Sequence, residues 1–143
     1  MAARQATWSA RLSRWWFGSR RGAGDALGAL GEREAERYLA ARGYRAIGRN
    51  LRMRGGEIDL LCLAPDERTI VVVEVKAREH SQGVYTPEAA ITPAKRRTLV
   101  RLARHIRAAN GWQGRTIRID VVAVEVGTGS RPECRHYEAA VRE

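Results

Sequence analysis

The sequence predicts an α/β fold: a mixed sheet of four or more strands flanked by helices, in the order αβββαβ. Three observations carry this. Apolar residues recur at helical spacing over residues 26–42 and again over 93–109. Three strand-like segments lie between them, the first two divided by the turn pair Gly55-Gly56. A largely β-branched run, Ile117-Arg118-Ile119-Asp120-Val121-Val122-Ala123-Val124, follows the second helix. Three strands in succession and then a helical crossover point to a mixed sheet with helices packed on it.

Gly22-Ala23-Gly24-Asp25 reads as a linker into the domain. In the first helix Leu27, Leu30, Ala35, Tyr38 and Leu39 recur at spacings near three and four, and Gly43 is the stop. Tyr44 to Met53 is the first strand, anchored by Ile47 and Leu51. Glu57 to Leu63 is the second, and Ala64 to Thr69, with Pro65-Asp66, is the hairpin loop after it. Ile70 to Lys76 is the third; its apolar run suits a central strand covered on both faces. Thr86-Pro87 and Thr92-Pro93 each read as an N-cap followed by proline at the first helical position. They predict a short helical turn at Pro87 to Ile91 and a long helix at Pro93 to Ala109, ended by Asn110-Gly111. Arg115 to Val126 is the fourth strand. The chain thus divides into a basic arm over 1–24, a domain over 25–126 and a tail over 127–143 to which the pattern assigns no structure.

A chain of 143 residues suits one domain around one core. Its net charge of +10 and pI of about 10.9 favour polyanionic partners, nucleic acid first and an anionic membrane surface second. Codon preference is a plainer source of the same charge, because the cations are 24 Arg and only 2 Lys. That skew makes Lys76 and Lys95 stand out, since Arg does not replace a compact ammonium. Cys62, in an apolar run, reads as a core residue. With Cys134 it forms neither a disulfide framework nor a zinc-ligand pattern, which fits a reducing cytoplasm. No stretch approaches the roughly twenty apolar residues of a membrane span. Residues 1–24 mix Arg4, Arg11, Arg14, Arg20 and Arg21 with Trp8, Trp15, Trp16 and Phe17, and hold no acid. They read as a flexible basic arm able to grip a nucleic-acid strand, or as a transit-like or membrane-surface segment.

Glu74 and Lys76 are two apart on the third strand and share a face, with Val75 on the other. Alone they read as a strand-end ion pair. Asp59 is a second acid inside an apolar strand, with Glu57 two residues earlier. If the second and third strands pair as a hairpin, Asp59 approaches Glu74. Two carboxylates drawn together at the edge of a core repel, unless a divalent cation lies between them. Mg²⁺ (or Mn²⁺) suits such a pair, because it keeps waters and substrate phosphate oxygens among its ligands. Lys76 beside it is placed to stabilise a charged transition state or to orient the attacking water. Glu57 is either a further acid of the site or a partner of Arg52 or Arg54. Asp120, flanked by Arg118, reads as a structural ion pair. His80, His105 and His136 are scattered and suggest no nucleophilic triad.

A wider text surrounds these residues: Gly31-Glu32, Ala35, Tyr38-Leu39, Gly43-Tyr44, Arg49-Asn50, Gly56-Glu57-Ile58-Asp59-Leu60, Val73-Glu74-Val75-Lys76-Ala77-Arg78, Glu88-Ala89, Lys95 and Ile119-Asp120-Val121-Val122. From Leu27 to Val124 it resembles the bacterial UPF0102 (YraN) family. Its Asp, then Glu-x-Lys, resembles the signature of the restriction-endonuclease-like, or PD-(D/E)xK, nucleases, which include the similar archaeal Holliday-junction resolvases. The resemblance implies a restriction-endonuclease-like core and a Mg-dependent endonuclease hydrolysing phosphodiester bonds in branched or structured DNA. Nucleic-acid binding on the same fold without catalysis is the alternative. It further implies that Asp59 and Glu74 bind the metal, that Glu32 on the first helix completes the site, and that Lys76 is the catalytic lysine. Ile58 stands where the signature has proline.

Leu99, Leu102, Ala103 and Ile106 form the buried stripe of the long helix. Lys95, Arg97, Arg101 and Arg104 cover other faces, and Arg78 follows the third strand. They are candidate phosphate contacts, aided by the helix N-terminus; a solvated face is the plainer alternative. Nothing in their spacing encodes a base sequence, so recognition of structure is expected. Cutting two strands symmetrically takes two sites, and a homodimer is compatible with that.

Overall fold

The structure is a computed structural model that describes residues 26–80, 91–127, 129 and 131–142. The expected arm over 1–24 and, but for Ile91, the expected turn at Pro87 to Ile91 lie outside the described residues. The elements are α1 (Ala26–Ala40), β1 (Arg45–Met53), β2 (Gly56–Leu63), β3 (Ile70–Glu79), α2 (Pro93–Ala109), β4 (Ile117–Val126) and β5 (Glu133–Val141). They form one five-stranded mixed sheet in the order β1-β2-β3-β4-β5. β3 and β4 run parallel and the other neighbours antiparallel. The architecture is the expected αβββαβ with one strand added from the tail, so the folded unit reaches Val141 rather than stopping at Val126.

β3 is central for the reason its composition suggests. Ile70, Val71, Val72 and Val73 are all buried, because helices cover both faces. On one face α2 packs Leu99, Leu102, Ala103 and Ile106 against Leu51, Leu61, Ile70, Val72 and Ile119. On the other α1 packs Ala35 and Leu39 with Leu60, Cys62, Val71, Val73 and Val122. Gly43, at φ +87°, ends the first helix in the left-handed region that glycine adopts without strain. Thr92 caps α2 by accepting a 3.1 Å hydrogen bond from the Lys95 amide, with Pro93 next in line. β3 continues three residues past the expected Lys76, because its parallel ladder with β4 runs on to Glu79 opposite Val126. Among the described residues no helix is long and apolar enough to cross a membrane.

Candidate active site

The β2–β3 ladder runs from Leu63 opposite Ile70 to Leu60 opposite Val73. One step further the register would set Asp59 across from Glu74, but there the strands part. Asp59 bridges the opening with its side chain, Oδ2 accepting a 2.8 Å hydrogen bond from the Val75 amide. The backbone of β2 is turned at this point. Ile58 and Leu60, two apart, pack into opposite cores, whereas residues two apart on a regular strand share a face. The β1–β2 register places Asn50 across from Asp59, and Asn50 sits at φ +48°, a left-handed conformation that Asn tolerates better than most residues.

Glu74 lies on the α2 face of β3 and is only 3% exposed. Its Oε1 meets the Lys76 ammonium at 3.1 Å, and its Oε2 has the Lys95 ammonium at 3.4 Å. Oε2 accepts no hydrogen bond among the described residues. Both lysines are about one-third exposed, so they join a buried carboxylate to solvent. Burial and then the charge of Glu74 push the Asp59 carboxyl up to about 7; the Val75 amide pulls the other way, Glu32 adds to the rise, and Lys95 opposes it.

Glu32 reaches the site from α1. It lines a cleft of about 210 Å³ with Ala29, Arg33, Glu36, Arg49, Asn50, Asp59 and Leu60. What brings it there is Gly31. An added Cβ on Gly31 would stand 2.5 Å from the Ala77 Cβ, so helix and strand touch at that glycine. Arg49 holds the cleft wall through two contacts to Glu36, one of them a 2.7 Å hydrogen bond from Nε.

The expected residues are therefore brought together unevenly. Asp59, Glu74 and Lys76 share the opening between β2 and β3, and Glu32 faces Asp59 from the cleft. Lys95, a candidate phosphate contact, stands 3.4 Å from Glu74. Arg101 donates a 2.9 Å hydrogen bond to the Gly55 carbonyl and so braces the β1–β2 turn. Arg97 and Arg104 are exposed on α2, and Arg78 is partly buried on β3. Of the two readings of Glu57, its partner is Arg52, at 3.6 Å. Asp120 is a structural ion pair as expected, bound to Arg118, but it also meets His136 at 2.7 Å and the Ala139 amide. Both partners lie on β5, sixteen and nineteen residues along the chain, so local spacing around Asp120 does not show them.

The donor set fits a hard divalent cation in a limited way. The Asp59 carboxyl lies close enough to feel the Glu74 charge, and among the described residues one buried Glu74 oxygen lacks a hydrogen bond. Among the described residues no three His, Cys, Asp or Glu side chains gather closely enough to hold an ion alone. Mg²⁺ does not need three, since one or two carboxylates with waters and substrate oxygens suffice.

The family model for UPF0102, described as an uncharacterised protein family, matches residues 31–124. A UPF0102 protein of Symbiobacterium thermophilum is 46% identical over 114 residues, covering 80% of this chain and 94% of its own. One of Pelobacter propionicus is 38% identical over 110 residues, covering 76% and 77%. Among solved structures, that of a repair endonuclease from Pyrococcus abyssi superposes with a TM-score of 0.44 at 18% identity, covering 78% of this chain and 42% of the other.

Proposed function

The chain belongs to the uncharacterised protein family UPF0102, and from that premise we propose that it is a restriction-endonuclease-like nuclease, hydrolysing phosphodiester bonds in branched or structured DNA with Mg²⁺ (or Mn²⁺). One observation carries the proposal. Two acids that repel each other, Asp59 and Glu74, are held together where β2 and β3 part, with two ammonium groups beside them. A fold gains nothing in stability from that placement.

Asp59 and Glu74 would hold the cation, with Glu32 closing the acidic side of the cleft. When bound, Mg²⁺ supplies Lewis-acid charge to a phosphoryl oxygen and makes a coordinated water more acidic. The chain's own residues do the rest. Lys76 orients the attacking water and, with Lys95, offsets negative charge building on the phosphoryl oxygens. The water oxygen bonds to phosphorus and gives up a proton to solvent as the bond to the leaving oxygen breaks, and that oxygen takes a proton from solvent, giving a phosphate end and a hydroxyl end. A homodimer serves substrates cut on both strands, and the two free cysteines suit a cytoplasmic place of action.

A panel of branched, flapped, single-stranded and RNA substrates with Mg²⁺ or Mn²⁺ tests this. Cutting is expected on branched DNA, with Lys76→Ala and Asp59→Asn slowing it on the order of 100-fold or more while binding survives. Equal residual cutting in both variants would mean a contaminating nuclease. A second proposal, binding without hydrolysis, draws on the fact that both Glu74 oxygens already face an ammonium. Calorimetry on wild type and Glu74→Gln separates the two: absence of uptake at millimolar Mg²⁺, together with tight DNA binding, favours the second.

A further inference from the structure

We infer that a nucleic-acid duplex leaves the site along a shallow groove between α2 and the end of β5, its phosphate backbone held by arginines from both elements. This rests on the nuclease-like proposal for the kind of polyanion. The groove is about 480 Å³ and is lined by Arg96, Arg97, Val100, Arg101, Arg104 and Arg142. Among the described residues five of the six are arginines and none is an acid. Like charges crowded around one hollow repel, and an added polyanion relieves that repulsion.

The placement is built into the fold. Arg97, Arg101 and Arg104 recur at helical spacing on one flank of α2, away from the buried stripe. From Arg97 to Arg104 the helix advances about 10 Å, which is about three nucleotide steps along one strand. Arg101 is anchored on the Gly55 carbonyl at 2.9 Å, which fixes one guanidinium in the row. Arg142 arrives from the other side, one residue past Val141, which is buried opposite Ile119. It also lies beyond the 31–124 segment that the family model matches, so the second wall of the groove comes from outside that segment. Arg96 of the groove is the next residue on α2 after Lys95, which contacts Glu74. Among the described residues no aromatic side chain lines the groove, so they offer no stacking platform of the kind that grips unpaired bases; a duplex backbone is the occupant they suit.

The test is fluorescence anisotropy on a labelled DNA duplex with EDTA, so that nothing is cut, over about 50 to 200 mM salt. Each lost phosphate contact lowers the log–log salt slope by about 0.9. Arg97→Gln with Arg104→Gln and Arg142→Gln is expected to lower the slope by nearly three, and Arg142→Gln alone by about one. A control triple, Arg37→Gln with Arg45→Gln and Arg68→Gln, removes the same charge elsewhere and is expected to leave most of the slope. An unchanged slope in the groove variants, or equal losses in the two triples, overturns the groove. So does a groove triple that loses only binding to phosphatidylserine vesicles. Wild-type protein with no affinity for duplex overturns the nuclease-like proposal as well, whereas duplex binding with an unchanged groove triple overturns the groove alone.

Discussion

The chain's two lysines meet on one carboxylate. Where 24 other cations are Arg, Lys76 and Lys95 both stand on Glu74. Their rarity was visible in the sequence; their meeting was not, because Lys95 arrives on α2, a separate element packed over the Glu74 face of the sheet. Lys95→Ala leaves Glu74 buried with one ammonium instead of two. Since Lys95 is partly solvated and Lys76 remains, the expected cost is about 1 kcal/mol, measured by chemical denaturation. Asp59 has a sharper signature in pH. Its folded pKa of about 7 lies above its ordinary 3.8, so between those values the native state binds the extra proton. Its share of stability is therefore greatest in acid and is lost as pH rises toward and through 7. Asp59→Asn keeps an oxygen for the Val75 amide and removes the charge. It is expected to melt a few degrees above wild type at pH 8, with the gain fading toward pH 5. A gain that does not change with pH would show that the Asp59 charge is not what is strained.

At the level of elements, most boundaries followed from local chemistry. The Thr92-Pro93 cap and Asn110 bracket α2 as expected, and the β-branched run of β3 was legible as a doubly covered strand. The contact of α1 with β3 was not, since helical periodicity shows which face is buried but not what it meets. That contact is Gly31 on Ala77. Gly31→Ala removes a helix-weakening glycine, which alone would stabilise by up to about 1 kcal/mol. Here the new Cβ would stand 2.5 Å from the Ala77 Cβ, and the overpacking is expected to reverse the sign, for a net loss of about 1–2 kcal/mol. The shift also carries Glu32 away from Asp59, so under the proposed nuclease function cutting is expected to fall with stability. Gly31→Ala combined with Ala77→Gly moves the methyl to the other partner and is expected to restore both in thermal melts and cleavage assays. Failure of the double variant to recover would mean that Gly31 serves something other than this contact.

For the molecule as a whole, the least legible part is the closing strand. Glu133–Val141 alternates weakly, with exposed Glu133, Arg135, Glu138 and Ala139, and no apolar run follows the Gly127-Thr128-Gly129-Ser130 turn signal to mark a strand. It is held by a buried acid instead of by a hydrophobic run. Between Ile119 opposite Val141 and Val121 opposite Tyr137, three residues of β5 arch over Asp120, with Ala139 at φ +51°. Asp120 is fully buried, and it accepts from Arg118, the Ala139 amide and, at 2.7 Å, His136. Arg118 in turn donates to the Tyr44 hydroxyl, which donates to Glu138, tying the α1–β1 connection to the edge strand. Burial alone would raise the Asp120 carboxyl; the hydrogen bonds from His136, Arg118 and Ala139 outweigh it and hold the pKa below 3.8. That contribution is whole above 3.8 and is lost as pH falls through the folded value, opposite in sense to Asp59. A chain ending at Gly127 removes the His136 and Ala139 partners and bares the β4 edge. A buried carboxylate stripped of partners costs about 3–5 kcal/mol, a large share of a total of about 5–15 kcal/mol. The shortened protein is thus expected to lose its cooperative melting transition and to self-associate through the open edge. Asp120→Asn in the full chain keeps β5 and is expected to cost less, about 2 kcal/mol, with the transition still cooperative. A shortened chain that melts like the full one would reduce β5 to an ornament of the sheet, and with it the fixed wall that Arg142 needs.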